Sequence, residues 1–209
     1  PAAEMRDLIT IGDVLNSPVV ADPLHARDCS LWSDGGGAVI VVAAERAKDF
    51  PNKPVFFLGC GEGHWHEHLF QARSLTTTAA SESGPRAFTM AGLGPQDMDF
   101  AQVYDCFTPV AIMELEDLGF CAKGEGGGFV ENGNIELGGT IPVNTHGGLL
   151  SHSHTGHPGT MFALTESVTQ LRGTGGARHV AGAEAGLVHG QGGVISSHST
   201  LILGTEATL

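Results

Sequence analysis

Short apolar runs of strand length alternate with segments of helical spacing along most of this chain. Residues 38–43 and 55–60 are continuous apolar runs, which are typical of strands buried on both faces, and a third strand is predicted at residues 100–103. Helical spacing predicts helices at residues 83–93 and 110–118. This alternation indicates βαβ units with right-handed crossovers. The sequence therefore predicts an α/β fold with a mostly parallel, mixed sheet covered by helices on both faces.

The last third of the chain adds a helix and two strands to this pattern. A helix is predicted at residues 161–171, and strands at 184–189 and 199–203. Because only a glycine-rich turn separates these strands, we expect them to pair antiparallel. From residue 55 onward the predicted order is β-α-β-α-β-α-β-β. Shorter predicted elements are helices at residues 9–17 and 45–50, a histidine-rich loop at 62–68, and an irregular or hairpin segment at 121–139.

Composition narrows the classes of partner. The 209 residues carry a formal net charge of −13, which repels phosphate backbones and disfavours nucleic acid as a partner. No apolar run reaches the roughly 18 residues that a membrane span requires. The four cysteines show no paired spacing, so we expect reduced thiols and a cytoplasmic protein.

Residues 142–160, PVNTHGGLLSHSHTGHPGT, place three histidines close together in a glycine-rich loop. A strand-like lead-in at residues 141–144 precedes His152, His154 and His157. Structural loops do not require so many imidazoles, whose pKa near neutrality suits proton transfer. We expect this loop to face the polar segment Tyr-Asp-Cys-Phe at residues 104–107, which follows the predicted strand at 100–103.

Five ordered motifs resemble a single family. They are DCS and SDG within residues 28–35, MAGLGP at 90–95, DCF at 105–107, NTHGG at 144–148 and HGQGG at 189–193. Together they resemble the thiolase superfamily, in the branch related to sterol carrier protein-2 thiolases, and they cover nearly the whole chain. The resemblance implies a thiolase-like layered fold. Residues 1–50 would be the tail of the family's N-terminal half, with its last strand and helix, and residues 51–209 the C-terminal domain.

The resemblance also implies parts that this chain lacks. Family members are roughly twice as long, and their first half carries the cysteine that accepts the acyl group. We therefore expect a partial chain that is inactive alone and completed by an N-terminal half or by dimerisation. The substrate implied is a coenzyme A thioester, in lipid metabolism. No covalently bound cofactor is expected, and no coenzyme-binding residues are assigned.

His154 is the first candidate catalytic residue. Aligned through Gly147 and Gly148, it falls where thiolases place the histidine that activates their cysteine. His157 is the alternative, because Gly156, His157 and Pro158 spell the family's GHP motif literally. His152 is interpreted as a bystander. A solvent-facing loop histidine is the non-catalytic reading of each.

Tyr104 and His189 are the other candidates that the resemblance supplies. Tyr104 stands where related thiolases carry a histidine of the oxyanion site, and tyrosine there resembles thiolase-related aldolases that work with an OB-fold and zinc-ribbon partner. His189 lies near the family's second cysteine and is a candidate acid–base group. The alternatives are a tyrosine packed at a strand end and a histidine that caps a strand.

Other patterns receive structural interpretations. The resemblance implies that Cys29 and Cys106 are structural, and Asp105 beside Cys106 raises rather than lowers a thiol pKa. His64, His66 and His68 have spacing that permits zinc, but we interpret them as a polar loop or substrate entrance and predict no metal. The GGG runs lack the residues of a phosphate-binding loop.

Three functions remain open from the sequence. The first is a thiolase-like acyl-CoA acyltransferase with His154 as base. The second is a thiolase-fold aldolase that cleaves a β-hydroxyacyl-CoA, with Tyr104 in proton transfer. The third is a non-catalytic chain that binds lipid or acyl-CoA.

Overall fold

Four strands form the central sheet, in the order β3-β6-β5-β4. The computed structural model describes residues 3–156 and 158–209. Its helices and strands, in chain order, are α1 (Ile11–Leu15), β1 (Val19–Ala21), β2 (Leu24–His25), β3 (Phe56–His64), α2 (Ala80–Ala91), β4 (Phe100–Gln102), α3 (Thr108–Asp117), α4 (Gly126–Phe129), α5 (Gly159–Leu171), β5 (Ala185–Gly192) and β6 (Ser197–Gly204). Short 3₁₀ turns and one π-helical turn, Gly148–His152, connect them.

The sheet is mixed. β4 pairs with β5 in parallel, and β6 pairs antiparallel with both β5 and β3. Val143 adds a single parallel bridge beside Ala101. The predicted α/β layered fold and the antiparallel pairing of the last two strands are confirmed. The expected predominance of parallel pairing is wrong in detail, because β6 lies between β3 and β5 and runs antiparallel to both.

Helices cover both faces of the sheet. On one face, Leu115 and Leu118 at the end of α3 pack with Leu187 of β5, and α2 lies beside them over β3 and β6. On the other face, Ala163 and Leu171 of α5 pack against Phe100, Val188 and Leu203. Side chains alternate between faces along a strand. Leu187 and His189 therefore face α2 and α3, whereas Val188 and Gly190 face α5.

Two sequence predictions differ from the structure. Residues 38–43 form no strand, and Ile40 and Val41 are 84% and 86% exposed. A strand requires a neighbour for its main-chain groups, and within residues 3–156 and 158–209 no strand pairs with this segment. The predicted loop at residues 62–68 is also partly wrong, because β3 continues to His64 along β6.

Candidate active site

The two predicted polar loops meet at the carboxyl edge of the sheet. Tyr104 follows β4, and His154 follows the π-helical turn Gly148–His152. The Tyr104 hydroxyl and His154 Nε2 lie 2.9 Å apart, in hydrogen-bonding distance, with the rings edge to face. A Cβ on Gly159, the first residue of α5, would lie 3.6 Å from His154 and 3.7 Å from Tyr104. Both rings therefore lie beside the N-terminus of α5.

Asp105 anchors the histidine loop to the end of β4. Its buried carboxylate accepts hydrogen bonds from the backbone N–H of Leu149 at 2.7 Å and of Leu150 at 3.4 Å. Burial raises the pKa of Asp105 to about 6, although these N–H groups oppose the shift. Gly148 has a φ of +63°, and a side chain there would overlap the Asp105 carboxylate. Glycine is therefore required where the loop crosses Asp105.

Residues 29–33 form main-chain hydrogen bonds with both the Tyr104 loop and the His154 loop. Cys29 forms an isolated antiparallel β-bridge with Phe107, and the N–H of Ser30 donates to the Cys106 carbonyl at 2.9 Å. The N–H groups of Leu31 and Ser33 donate to the carbonyls of Leu149 and His154 at 3.1 and 3.2 Å. Residues 29–33 thus connect the loop that carries Tyr104 to the loop that carries His154.

Burial sets the protonation states of the pair. It raises the pKa of Tyr104 to about 12, and the negative groups around Glu114 and Asp105 add to this shift. Desolvation lowers the pKa of His154 from its ordinary value. At neutral pH the tyrosine is therefore protonated and the imidazole neutral, and in the tautomer with its proton on Nδ1 the imidazole accepts the tyrosine O–H at Nε2.

The structure places His189 in a second, buried cluster. Its Nδ1 lies 2.9 Å from Thr200 Oγ1, and its Nε2 lies 2.9 Å from His198 Nδ1. Glu114 Oε1 lies 3.7 Å from the same Nε2. Burial lowers the pKa values of both histidines and raises that of Glu114. No hydrogen bond among the described residues joins His189 to Tyr104 or His154, so its acid–base role stays a prediction.

The remaining candidates take different places. His157 lies outside the described residues. His152 bonds Ser153 Oγ at 2.8 Å and packs against Phe162 and His146. His64 bonds Ser197, His66 bonds the Val194 carbonyl, and His68 stacks on Phe70, so these three imidazoles have separate partners.

The two site cysteines are not activated. Cys106 is buried, and desolvation raises its pKa to about 12. Desolvation also raises the pKa of Cys29. A cysteine nucleophile requires a lowered pKa and some exposure, so neither thiol has the properties of one.

Sequence reasoning missed Glu114 and His198. Glu114 lies on the buried side of α3, four residues after Val110 and four before Leu118. A carboxylate at that spacing was a detectable signal, because a charged residue on an apolar helix face is rarely unpaired. His198, Thr200 and Ile202 lie at alternate positions of β6 and face the same side of the sheet. The predicted strand at 199–203 begins too late to include His198.

Helices cover both faces of a mixed sheet, and a glycine-rich loop anchored at Asp105 brings His154 to Tyr104. These features define a domain of the thiolase type. Residues 61–205 match the family model described as "Thiolase C-terminal domain-like". The chain belongs to the thiolase superfamily. No helix among the described residues is both long and apolar enough to cross a membrane.

Its relatives carry two kinds of activity in their names. The chain is 41% identical to an acetyl-CoA acetyltransferase of Methanothermobacter thermautotrophicus, over 92% of this chain and 51% of that protein. It is 39% identical to a 17-hydroxy-3-oxo-4-pregnene-20-carboxyl-CoA lyase of Mycobacterium tuberculosis, over 94% and 50%. It is also 29% identical to rat sterol carrier protein 2, over 92% and 36%.

A solved structure agrees with these relatives. The Ltp2-ChsH2(DUF35) aldolase superposes with a TM-score of 0.83 at 33% identity, over 96% of this chain and 52% of that chain. The chain spans about half the length of the relatives that it matches. These matches establish the family, and their names include both an acetyltransferase and a lyase.

Proposed function

We propose that the protein containing this chain is a thiolase-fold aldolase that cleaves a carbon–carbon bond of a β-hydroxyacyl-CoA. The observation that carries the proposal is the hydrogen bond between the Tyr104 hydroxyl and His154 Nε2. A protonated phenol that donates to a neutral imidazole is a ready proton relay. Retro-aldol cleavage requires proton removal from a hydroxyl and proton delivery to a carbon, and this pair is suited to both steps.

The proposed step conserves protons within the pair. The substrate's β-hydroxyl gives its proton to the Tyr104 oxygen while the tyrosine proton moves to His154 Nε2. The bond between the α and β carbons breaks, leaving a carbonyl product and the enolate of the shortened acyl-CoA. Its α carbon then takes a proton back from Tyr104, and His154 returns the proton it stored. No free phenolate forms, which matters because burial makes phenolate costly here.

The nearby thiols are not needed for this reaction, and they do not distinguish it from acyl transfer, whose cysteine would come from the family's N-terminal half. Thiolytic acyl transfer requires a cysteine nucleophile, and burial raises the pKa values of Cys29 and Cys106. Acyl transfer would therefore need a cysteine from outside the described site. Aldol cleavage uses the coenzyme A thioester as substrate and needs no such residue.

The names of the relatives support a substrate class and a partner for this proposal. Two proteins at 39% and 40% identity are named as an acyl-CoA lyase and a steroid side-chain-cleaving aldolase. We infer a bulky β-hydroxyacyl-CoA as substrate, and an OB-fold and zinc-ribbon protein of the DUF35 kind as partner. We also propose that residues 1–50 belong structurally to the preceding half, because the four-stranded sheet takes no strand from them.

The test compares two reactions of the purified full-length protein, with and without a DUF35 partner. One assay supplies a β-hydroxyacyl-CoA and measures the carbonyl product and shortened acyl-CoA by mass spectrometry. The other supplies a β-ketoacyl-CoA with free coenzyme A and measures thiolysis. We expect cleavage without added coenzyme A, and a fall in kcat of about 10²–10⁴-fold in Tyr104→Phe and in His154→Gln.

His152→Gln is the matched control, because His152 lies in the same loop but bonds Ser153 instead of Tyr104. Its cleavage rate should stay within about threefold of wild type. Efficient thiolysis that survives Tyr104→Phe would establish the acyltransferase instead. Acyl-CoA binding without either reaction would establish a binding subunit.

A further inference from the structure

A second cluster of chemically active side chains lies on the opposite face of the sheet from α5. It joins three elements: Glu114 from α3, His189 from β5 and His198 from β6. Each of the three is at most 1% exposed. His189 Nε2 lies 2.9 Å from His198 Nδ1 and 3.7 Å from Glu114 Oε1, and all three atoms lie within 4.8 Å of one another. The cluster contacts Tyr104 through its backbone N–H, which donates to Glu114, and binding of an ion there does not require the function proposed for the Tyr104–His154 pair.

Hydrogen bonds alone do not satisfy this cluster. One proton lies between the two imidazoles, and whichever ring carries it, Glu114 Oε1 remains without a hydrogen-bond partner among the described residues. Buried polar atoms are paired in the great majority of cases, so an unpaired one indicates a missing partner. The Glu114 carboxylate has one partner, the Tyr104 N–H at 2.8 Å to Oε2, and its other oxygen lies towards the histidines.

The spacing suits a metal ion. The other two ligand atoms lie 2.9 and 3.7 Å from His189 Nε2. With metal–ligand bonds of about 2.0–2.1 Å, these separations correspond to angles of about 90–130° at an ion. A small rotation of the Glu114 carboxylate, whose terminal torsion is broad, brings its oxygen within reach of the ion. Two imidazoles and one carboxylate form a ligand set that zinc takes in proteins.

Further groups complete the surroundings of such an ion. Gln191 lies two residues after His189, on the same face of β5 and in register with His198, and its buried Oε1 has no partner among the described residues. Metal-bound histidines usually donate their second N–H to a fixed acceptor. Here His189 Nδ1 bonds Thr200 Oγ1, which in turn bonds Ser83 Oγ at 2.8 Å.

We propose that Glu114, His189 and His198 bind a divalent transition-metal ion of the zinc type, with Gln191 Oε1 as fourth ligand. Because the ligands are buried and fill the coordination sphere, the ion is structural. It ties α3, whose N-terminus follows the Tyr104 loop, to the β5–β6 hairpin. The chain's net charge of −13 favours uptake of a cation.

The experiment measures metal content and spectrum, not turnover. Tag-free protein is stripped with a chelator, dialysed against micromolar zinc, and analysed by plasma mass spectrometry. A parallel sample receives cobalt(II) for visible absorption. We expect one ion per chain, intense cobalt bands typical of four-coordinate sites, and a higher Tm with zinc than with chelator.

Two near-isosteric variants identify the ligands. Glu114→Gln still accepts the Tyr104 N–H but loses its charge, and His198→Gln loses one imidazole. Each should weaken zinc binding by more than about 100-fold, beyond the losses typical of outer-shell groups. The control is His64→Gln, because His64 is exposed and lies 3.5 Å from Glu62. It should leave metal content unchanged.

Two outcomes would overturn the proposal. One is wild-type protein that binds no zinc or cobalt under these conditions. The other is metal that is retained by Glu114→Gln and His198→Gln but lost from His64→Gln, which would assign it to surface histidines. Loss of metal binding with intact aldol cleavage would leave the proposed function standing, and the converse would leave the metal site standing.

Discussion

At the residue scale, the environment of each polar side chain decides its role. His154 and His189 are both histidines that follow glycine-rich sequence, and the sequence alone made both of them catalytic candidates. Burial separates them, because His154 is partly exposed beside Tyr104 whereas His189 is fully enclosed with His198. Tyr104 and His154 were predictable because the family's motifs align on them. The cluster around Glu114 was not, because it requires knowing that α3, β5 and β6 converge.

The same environment predicts the pH profile of the proposed reaction. The base form of His154 is neutral, and desolvation lowers its pKa below the ordinary value of 6.5. Activity should therefore persist from neutrality downward and fall only as the pH drops through that lowered pKa. Tyr104 has a pKa of about 12, so its ionisation causes no loss of activity below pH 10.

Measuring kcat/KM from pH 4.5 to 10 tests this expectation, since this parameter reports the ionisations of the free enzyme. An acid limb centred above pH 6.5 would contradict the role of His154 as a neutral base whose pKa is lowered by desolvation. A decline between pH 8 and 10 would contradict the protonated tyrosine. His152→Gln should show the wild-type profile, because His152 does not contact Tyr104.

At the element scale, glycines explain how α2 lies on the sheet. Gly59, Gly61 and Gly63 alternate along β3 and share one face. Side chains at these positions would overlap the backbone of Ala87, Ser83 and Ala79, which are spaced four residues apart along α2. The helix backbone therefore rests directly on the strand. The sequence predicted both elements but not this contact, because period-two glycine in a strand also fits a flexible loop.

Gly61→Ala should be strongly destabilising for this reason. The added methyl group would overlap the Ser83 carbonyl and Arg86, so the helix must shift from the strand. Overpacking typically costs about 1–3 kcal/mol, and contact with the backbone places this case at the upper end. Chemical denaturation of the purified protein measures the loss. Gly36→Ala is the control, because its site is open, and equal stability of the two variants would refute the close packing.

The errors in element prediction have one physical source. Residues 38–43 are as apolar as the strands of the sheet, yet they form none, because apolar character predicts burial and not the presence of a pairing partner. β3 extends further than its apolar run because β6 pairs with it as far as His64. Pairing is a property of two segments, and a single segment's sequence reports only half of it.

At the scale of the whole molecule, polar clusters lie on both sides of the central sheet. One contains Glu114, His189 and His198, as described above. The other joins β4 to α5: Glu166 accepts from Thr145, Gln170 and Arg178 at 2.7 to 2.9 Å, and His146 bonds Gln102 at 3.2 Å. A small cavity of about 170 Å³ lies beside His146 and Arg178. The folded state thus encloses histidines that the unfolded chain exposes to water.

His146 should therefore make global stability sensitive to acid. Burial lowers its pKa from 6.5 to about 4, with His152 and Arg178 adding to the shift and Glu166 opposing it. A lowered folded-state pKa contributes stability that is complete above pH 6.5 and is lost as the pH falls towards 4. One pKa unit corresponds to about 1.4 kcal/mol, and the ring keeps some contact with water. We expect His146 to account for about 1–2 kcal/mol of the acid-side loss.

Denaturation of wild type and His146→Gln at pH 7 and 4.5 measures this loss. The variant should lose less free energy of unfolding than wild type between the two pH values. The exposed His68→Gln serves as control and should match wild type. An identical acid-side loss in His146→Gln and wild type would show that this ring is not held neutral by the fold.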